Sequence, residues 1–574
     1  MSDSSPLRLV LCWHMHQPNY FDPLENEYQL PWTYLHAIKD YVDMVAHLEA
    51  VPGARVVVNF APILLEQIED YSRQVGAYLK SGDGLRDHLL AALVTPALST
   101  DIAHRLSLVK ASLRINEETV ISRFPHFQTL ADMARRLIHN ADEFYYVDDQ
   151  FIVDLVVWYH LGWMGETIRR SDSRIQALIE KERGFTLQDR RLLMQVIGEQ
   201  LATVLDRYRC LAQKGQIELS FTPYAHPILP LLLDINSAHE AMPDAPLPSV
   251  TAYPGGEARA QWHIRKGLEV FERCFGFRPK GCWPSEGSVS SQALTLLARE
   301  GVQWAASGES VMRNSLARPE TSPQLREQAC VHHPYRVANG EMNCFFRDDG
   351  LSDAIGFNYA KWQADDAVND LIGHLENIRQ ACHGHDHTVV SIILDGENAW
   401  EYYPENGYDF LRTLYERLAS HPAIEMTTFG DCVAQIEEPP MLPHVVAGSW
   451  VYGTFSTWIG ERDKNRGWDM LIEAKLAYDR ALAERKFSRQ EREALERQLA
   501  VCEGSDWFWW FGDYNAADVV SDFERLYRIQ LTRLYHMMGQ EPPQYLSEAF
   551  THGGGAPSAA GTMRHGREPS EHRS

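Results

Sequence analysis

The sequence has no Cys-x-x-C pair and no finger-type cysteine spacing, and its nine cysteines, an odd number, are scattered from Cys12 to Cys502. A disulfide-built fold is thereby excluded, and reduced thiols in a cytoplasmic setting are expected. No apolar run reaches the ~18 residues that a membrane-spanning helix needs. The start, MSDSSPLRLVLCWHMHQ, lacks both a basic segment and a continuous apolar stretch, so export by a standard signal is not expected. Basic residues are in deficit, 54 Lys and Arg against 78 Asp and Glu, for a net charge of -24 with no local basic patch. Nucleic acid and anionic membrane are therefore unexpected partners. No G-x-G-x-x-G follows a strand-like run, which removes the main support for a dinucleotide-binding sheet.

What is present is a large core: 574 residues with 45% hydrophobic content, more than one ordinary domain. Short apolar runs rich in β-branched residues recur at Leu7 to Trp13, Arg55 to Phe60, Ile217 to Phe221, Lys280 to Trp283, Val302 to Ala306 and Thr388 to Leu394. Each is too brief for a helix and lies between helix-like stretches, the pattern of buried parallel strands in an α/β fold. A helical insertion is expected at about 100–215. Its last helix would start at Thr186 and stop at Gly215. A barrel region over 1–430 is then followed by a helical region over 431–545, with a capping box at Ser488 and Glu491. The end, 546–574, is rich in Gly, Ser, Pro and His and reads as a disordered tail.

The acids stand where the strand-like runs end. TVVSIIL leads straight into Asp395 and Glu397, and KGCWP into Glu286. The first run delivers His14 and His16 to one side by alternation, the third carries Glu218, and His226 follows it. In parallel α/β architectures such side chains converge on one cleft at the C-terminal ends of the strands. Paired carboxylates in a cleft suit glycosidic-bond chemistry, in which one group donates a proton and the other attacks as the ionised form. Repulsion between Asp395 and Glu397 would raise their pKa values and keep one proton available.

With those residues in view, WHMHQPNY, GQIELSFTPYAHPILPLL, GCWPSEGSVS, ILDGENAWEYYPENG and, more loosely, SDWFWWFGDYN resemble the motifs of glycoside hydrolase family 57, which acts mostly on α-glucans. The resemblance runs from about residue 9 to 515. It implies an incomplete TIM-like (β/α)7 barrel with a helical C-terminal region closing over the cleft, a retaining mechanism and no cofactor. It further implies Glu286 as nucleophile and Asp395 as general acid/base, with His14 and His16 lining the site. Glu218, Trp283, Asp506 and Trp507 take binding positions in the matching motifs. Arg347, Asp348 and Gly448 to Trp450 resemble segments of amylase and amylopullulanase-like members, with no role assigned. The expected partner is an α-glucan or malto-oligosaccharide.

Alternatives remain open at this stage. Hydrolysis and transfer, as in an amylase against a 4-α-glucanotransferase or branching enzyme, would use the same residues. A metal-dependent hydrolase or deacetylase would instead use His14, His16 and Asp395 as ligands. A non-catalytic glucan-binding protein is the third reading. His226 can be a barrel-wall histidine, the WFWWF run can be core, and HGHDH at 383–387 reads as a solvated loop ahead of its strand.

Overall fold

The structure, a computed structural model, describes residues 6–382, 388–554 and 563–566. Seven parallel strands form the centre: β1 (Leu7–Met15), β2 (Val56–Phe60), β3 (Ile217–Phe221), β4 (Gly281–Cys282), β5 (Trp304–Gly308), β6 (Met342–Arg347) and β7 (Val389–Asp395). Their order is β7-β1-β2-β3-β4-β5-β6. Every residue of β2 and β5 is buried, as expected for strands covered on both faces. Six of the seven lie at the apolar runs. The seventh, β6, is MNCFFR, whose Asn343 and Arg347 leave only three consecutive apolar residues.

The ladder breaks between β6 and β7. There Asp348 N–H donates to Ser391 O at 2.8 Å, and the buried Arg347 guanidinium reaches Ile393 O at 2.8 Å. A side chain thus does at the seam what a backbone ladder does elsewhere, and the (β/α)7 barrel is incomplete. A short strand, Ile424–Met426, pairs with the start of β1 on the edge that β2 covers further along.

Between β2 and β3 the chain is helical, from α1 (Pro62–Ser81) to α2 (Leu187–Gln213). Proline at the first turn of α1 and left-handed Gly82 (φ 79°) after its end set its limits. The reciprocal Thr186–Asp189 box starts α2. Later in the chain come α3 (Gly256–Phe275), which packs against α1 and α2, and α4 (Ala364–Ala381). After residue 430 the helices α5 (Arg462–Glu484), α6 (Arg489–Cys502), α7 (Asp506–Trp510) and α8 (Ala517–Met537) follow, with the Ser488–Glu491 box at the start of α6.

The histidine run 383–387 lies outside the described residues, as do 555–562 and 567–574 of the expected tail. The described stretches of that tail are packed chain. Thr551 is buried, the Phe550 ring meets Phe511 at 4.9 Å, and the Arg564 guanidinium lies over the Trp509 and Tyr514 rings. A few aromatic and cation contacts supply the burial that average composition did not suggest.

Candidate active site

The C-terminal ends of the strands open into a cavity of about 410 Å³ lined by His14, His16, His226, Glu286, Asp395 and Asp506 among others. Strand register explains the meeting: His14 pairs with Asp395 on β7 and with Asn59 on β2. The Asp-Gly turn after β7 is fastened to β1 by Gly396 N–H to His14 O at 2.7 Å.

A polar belt runs around the barrel below the cavity. His14 Nδ1 lies 2.7 Å from Asn59 Oδ1, Asn59 Nδ2 donates to Ser220 Oγ at 3.0 Å, and Thr222 Oγ1 is 2.8 Å from both Asn59 Oδ1 and Trp283 O. Because Asn59 Oδ1 can only accept, His14 carries its proton on Nδ1. Its Nε2 then accepts from His226 Nε2 at 3.2 Å, and His226 Nδ1 faces Ser505 Oγ at 2.8 Å. Burial, reinforced by neighbouring imidazoles, pushes His14 down to about 3 and His226 well below the ordinary histidine range, so both are neutral. His16 stacks on His226 at 3.8 Å, and its Nε2 meets Asp506 Oδ1 at 2.7 Å.

Glu286 follows β4 in a turn with left-handed backbone (φ 58°, ψ 26°), and His226 shares that rare conformation (φ 59°). Such non-glycine residues cost roughly 1–3 kcal/mol each and persist only where their surroundings hold them. Both are held from the C-terminal part of the chain: Trp450 N–H donates to Glu286 O at 3.1 Å, and Ser505 N–H to His226 O at 2.9 Å. Gly287 must be glycine, since a Cβ would come within 2.7 Å of the Trp283 ring.

The Glu286 carboxyl receives Trp450 Nε1–H at 3.2 Å and lies 3.4 Å from Ser505 Oγ. Burial, then the charges of Asp395 and Asp506, push it up to about 8. Burial also raises Asp395 to about 6, against the Asn398 hydrogen bond at 3.1 Å and the charges of His16 and Arg347. Glu397 sits well above the usual carboxylate range, first by burial, while Tyr41 and Gln17 hydrogen-bond its two oxygens. Asp395 also raises Glu397, so the spare proton expected of that neighbouring pair belongs on Glu397.

Three expected binding residues lie elsewhere. Glu218 is the second residue of β3, deep in the barrel, accepting from Trp304 Nε1 and Gly430 N, both at 2.8 Å. It fastens the barrel floor. Trp283 is buried beneath Trp450, rings edge to face at 5.8 Å. Trp507 packs inward, its Nε1–H on Val501 O at 2.8 Å, and Trp509 and Trp510 line the cavity in its stead. Sequence reasoning gave no role to Trp450. It is brought in by a bridge between Val289 and Gly448, for which nothing local in the sequence is a signal. The wall continues with Tyr20, Trp32, Trp163 and Tyr402.

The metal-ligand alternative fails in geometry. Both His14 nitrogens are committed to Asn59 and His226. Among the described residues, the three-donor cluster at this cavity consists of His16, His226 and Asp506, with donor atoms within 4.8 Å of one another, and excludes His14 and Asp395.

The chain superposes on the GH57-type branching enzyme of Pyrococcus horikoshii with a TM-score of 0.55 at 16% identity, over 92% of this chain and 88% of that one. For the α-amylase AmyC of Thermotoga maritima the values are 0.57, 13%, 94% and 96%. For the 4-α-glucanotransferase of Thermococcus litoralis they are 0.50, 13%, 92% and 60%. These likenesses establish the fold. No curated protein matches the sequence. The profile of Glycosyl hydrolase family 57 matches residues 10–445, most of the chain and all of the barrel strands except the first residues of β1, and the protein belongs to that family.

Proposed function

We propose that the protein cleaves α-glucosidic bonds with retention of configuration, Glu286 attacking the anomeric carbon while Asp395 protonates the leaving oxygen. The observation that carries this reading is the convergence of these two carboxyls, delivered by β4 and β7, on one aromatic-walled cavity where the Asp395 charge raises Glu286. The first step forms a glycosyl bond to Glu286 and expels the leaving sugar. Asp395, now ionised, takes a proton from the acceptor that releases the product. Water as acceptor gives hydrolysis, and a sugar hydroxyl gives a 4-α-glucanotransferase or a branching enzyme. Neutral His14 and His226 form a rigid wall, and His16, whose Nδ1 has no protein partner among the described residues, offers that nitrogen to a sugar hydroxyl.

The names of the structurally similar enzymes support an α-glucan or malto-oligosaccharide as substrate. All nine cysteines are free, which fits a reducing, cytoplasmic setting, and among the described residues no helix is long and apolar enough to cross a membrane. The deciding experiment incubates wild type, Glu286→Gln and Asp395→Asn with amylose and scores reducing ends together with chain-length distribution. Each variant is expected to lose at least ~10³-fold in kcat. Near-normal turnover in either removes that residue from its role. New reducing ends signify hydrolysis, and redistribution without them signifies transfer.

A further inference from the structure

At the open seam between β6 and β7, away from the catalytic cavity, three metal-ligand side chains meet from separate segments. Cys330 and His332 precede the antiparallel strand Tyr335–Val337, and Cys382 follows the last residue of α4. Their two sulfurs and a ring nitrogen all lie within 4.8 Å of one another, and Cys330 Sγ is 3.8 Å from His332 Nδ1. All three are half-buried, hence reachable from solvent.

We propose that Cys330, His332 and Cys382 bind one thiophilic divalent cation, Zn²⁺ before others. The donor set is the first argument: two sulfurs and one imidazole suit Zn²⁺ and do not suit Mg²⁺ or Ca²⁺. Spacing is the second. Metal–ligand bonds of about 2.1–2.3 Å in a tetrahedron place neighbouring donors roughly 3.4–3.8 Å apart, and the Cys330–His332 separation already has that value. A disulfide needs sulfurs at about 2.05 Å.

The third argument is the orientation of the imidazole. His332 Nε2 donates to Asp348 Oδ2 at 2.9 Å, which leaves Nδ1 as the lone-pair nitrogen facing Cys330. Metal-bound histidines are fixed by a carboxylate in this way. Asp348 is itself fixed, its Oδ1 accepting Leu351 N–H at 2.9 Å and its own N–H donating to Ser391 O at 2.8 Å. His332 O accepts Val389 N–H at 2.7 Å. The ion would therefore tie the segment ahead of Tyr335, the end of α4 and, through Asp348, the end of β6 across the interruption in the ladder. Each thiol releases its proton to solvent on binding, and water takes the fourth position.

The test uses the full-length protein, reduced, stripped with a chelator and freed of it, then titrated with Co²⁺ and displaced by Zn²⁺. Expected are a thiolate-to-cobalt absorption saturating at one ion per chain and a rise in Tm with one equivalent of Zn²⁺. Both should vanish in Cys330→Ser and Cys382→Ser and remain in the control Cys210→Ser. Asp348→Asn, which keeps a side chain able to cap the following helix, should weaken binding ~10–100-fold. The cluster at the cavity has no sulfur and cannot give that absorption. Wild-type protein without a thiolate–cobalt band overturns the proposal even if the serine variants fail to fold. A band that survives Cys330→Ser overturns it equally.

Discussion

The Glu286 and Asp395 carboxyls, which line one cavity, do not hold their protons alike: burial and the Asp395 charge lift Glu286 to about 8, while Asp395 stands at about 6. Between those values the pair carries one proton. The proposed mechanism needs that proton on Asp395, an isomer of the same charge as the one these values favour. Below about 6 both are protonated and no nucleophile remains, and above about 8 both are ionised and no acid remains. The profile of kcat/KM against pH should therefore be a bell with limbs near those values, and a profile flat across them would refute the pairing. Trp450 sharpens the test. Its N–H favours the charged form of Glu286, so Trp450→Phe should move the alkaline limb to higher pH and lower kcat roughly 10- to 100-fold, the worth of one hydrogen bond to a charged group. At this scale the sequence was legible where a residue sits on a strand end, as His14, His16, Glu286 and Asp395 do. It was also legible, though misread, in α7: Asp506, Trp509 and Trp510 are spaced i, i+3, i+4 and share a face, from which Trp507 is turned away. Trp450 was not legible, because its contact with Glu286 spans 164 positions and depends on the folded bridge at Val289.

Element geometry explains why Glu218 belongs to the floor. It shares the inward face of β3 with Ser220 but is four residues short of Thr222, and at ~3.3 Å per residue it lies ~13 Å below that residue of the polar belt. There it accepts from the first turn of the helix Phe429–Gln435 and from Trp304 at the start of β5. Glu218→Ala would strand two buried donors at about 1–3 kcal/mol each. Urea unfolding should register that loss while kcat and KM of the folded enzyme stay unchanged, whereas Glu218→Gln, retaining an acceptor oxygen, should recover part of it. A rise in KM without loss of stability would return Glu218 to the substrate. The strand runs themselves could be read because strands buried on both faces are dominated by apolar residues. β6 escaped because Asn343 and Arg347 leave it only three consecutive apolar residues, and β4 is only two residues long because Pro284 follows closely and cannot donate to a ladder.

At the scale of the whole molecule, the helices after residue 430 complete the site that the barrel begins. They supply Ser505, Asp506, Trp509 and Trp510, and the segment before them supplies Trp450. The two parts are also welded in the interior: Glu503 at the end of α6 accepts from Arg259, His263 and Tyr253, and every one of these groups is buried. Burial works against the charge on Glu503, but the Arg259 guanidinium and the hydrogen bonds from His263 and Arg259 outweigh it and hold the carboxyl at about 2. We propose that the regions 1–430 and 431–545 therefore unfold together. Heating should give one transition by tryptophan fluorescence and by far-ultraviolet dichroism, with activity lost in the same interval, and two separated transitions would contradict the weld. Glu503→Gln leaves a buried guanidinium without its counter-charge, a loss of roughly 3–5 kcal/mol, and should lower that single transition without splitting it. The pH dependence carries a definite sign. Because the folded carboxyl is more acidic than the unfolded one, its contribution is full above the ordinary glutamate value of 4.5 and fades as pH falls through about 2. The gap in Tm between wild type and Glu503→Gln should thus be widest near neutrality and close on acidification, and a gap that widened toward acid would place the stabilising charge elsewhere.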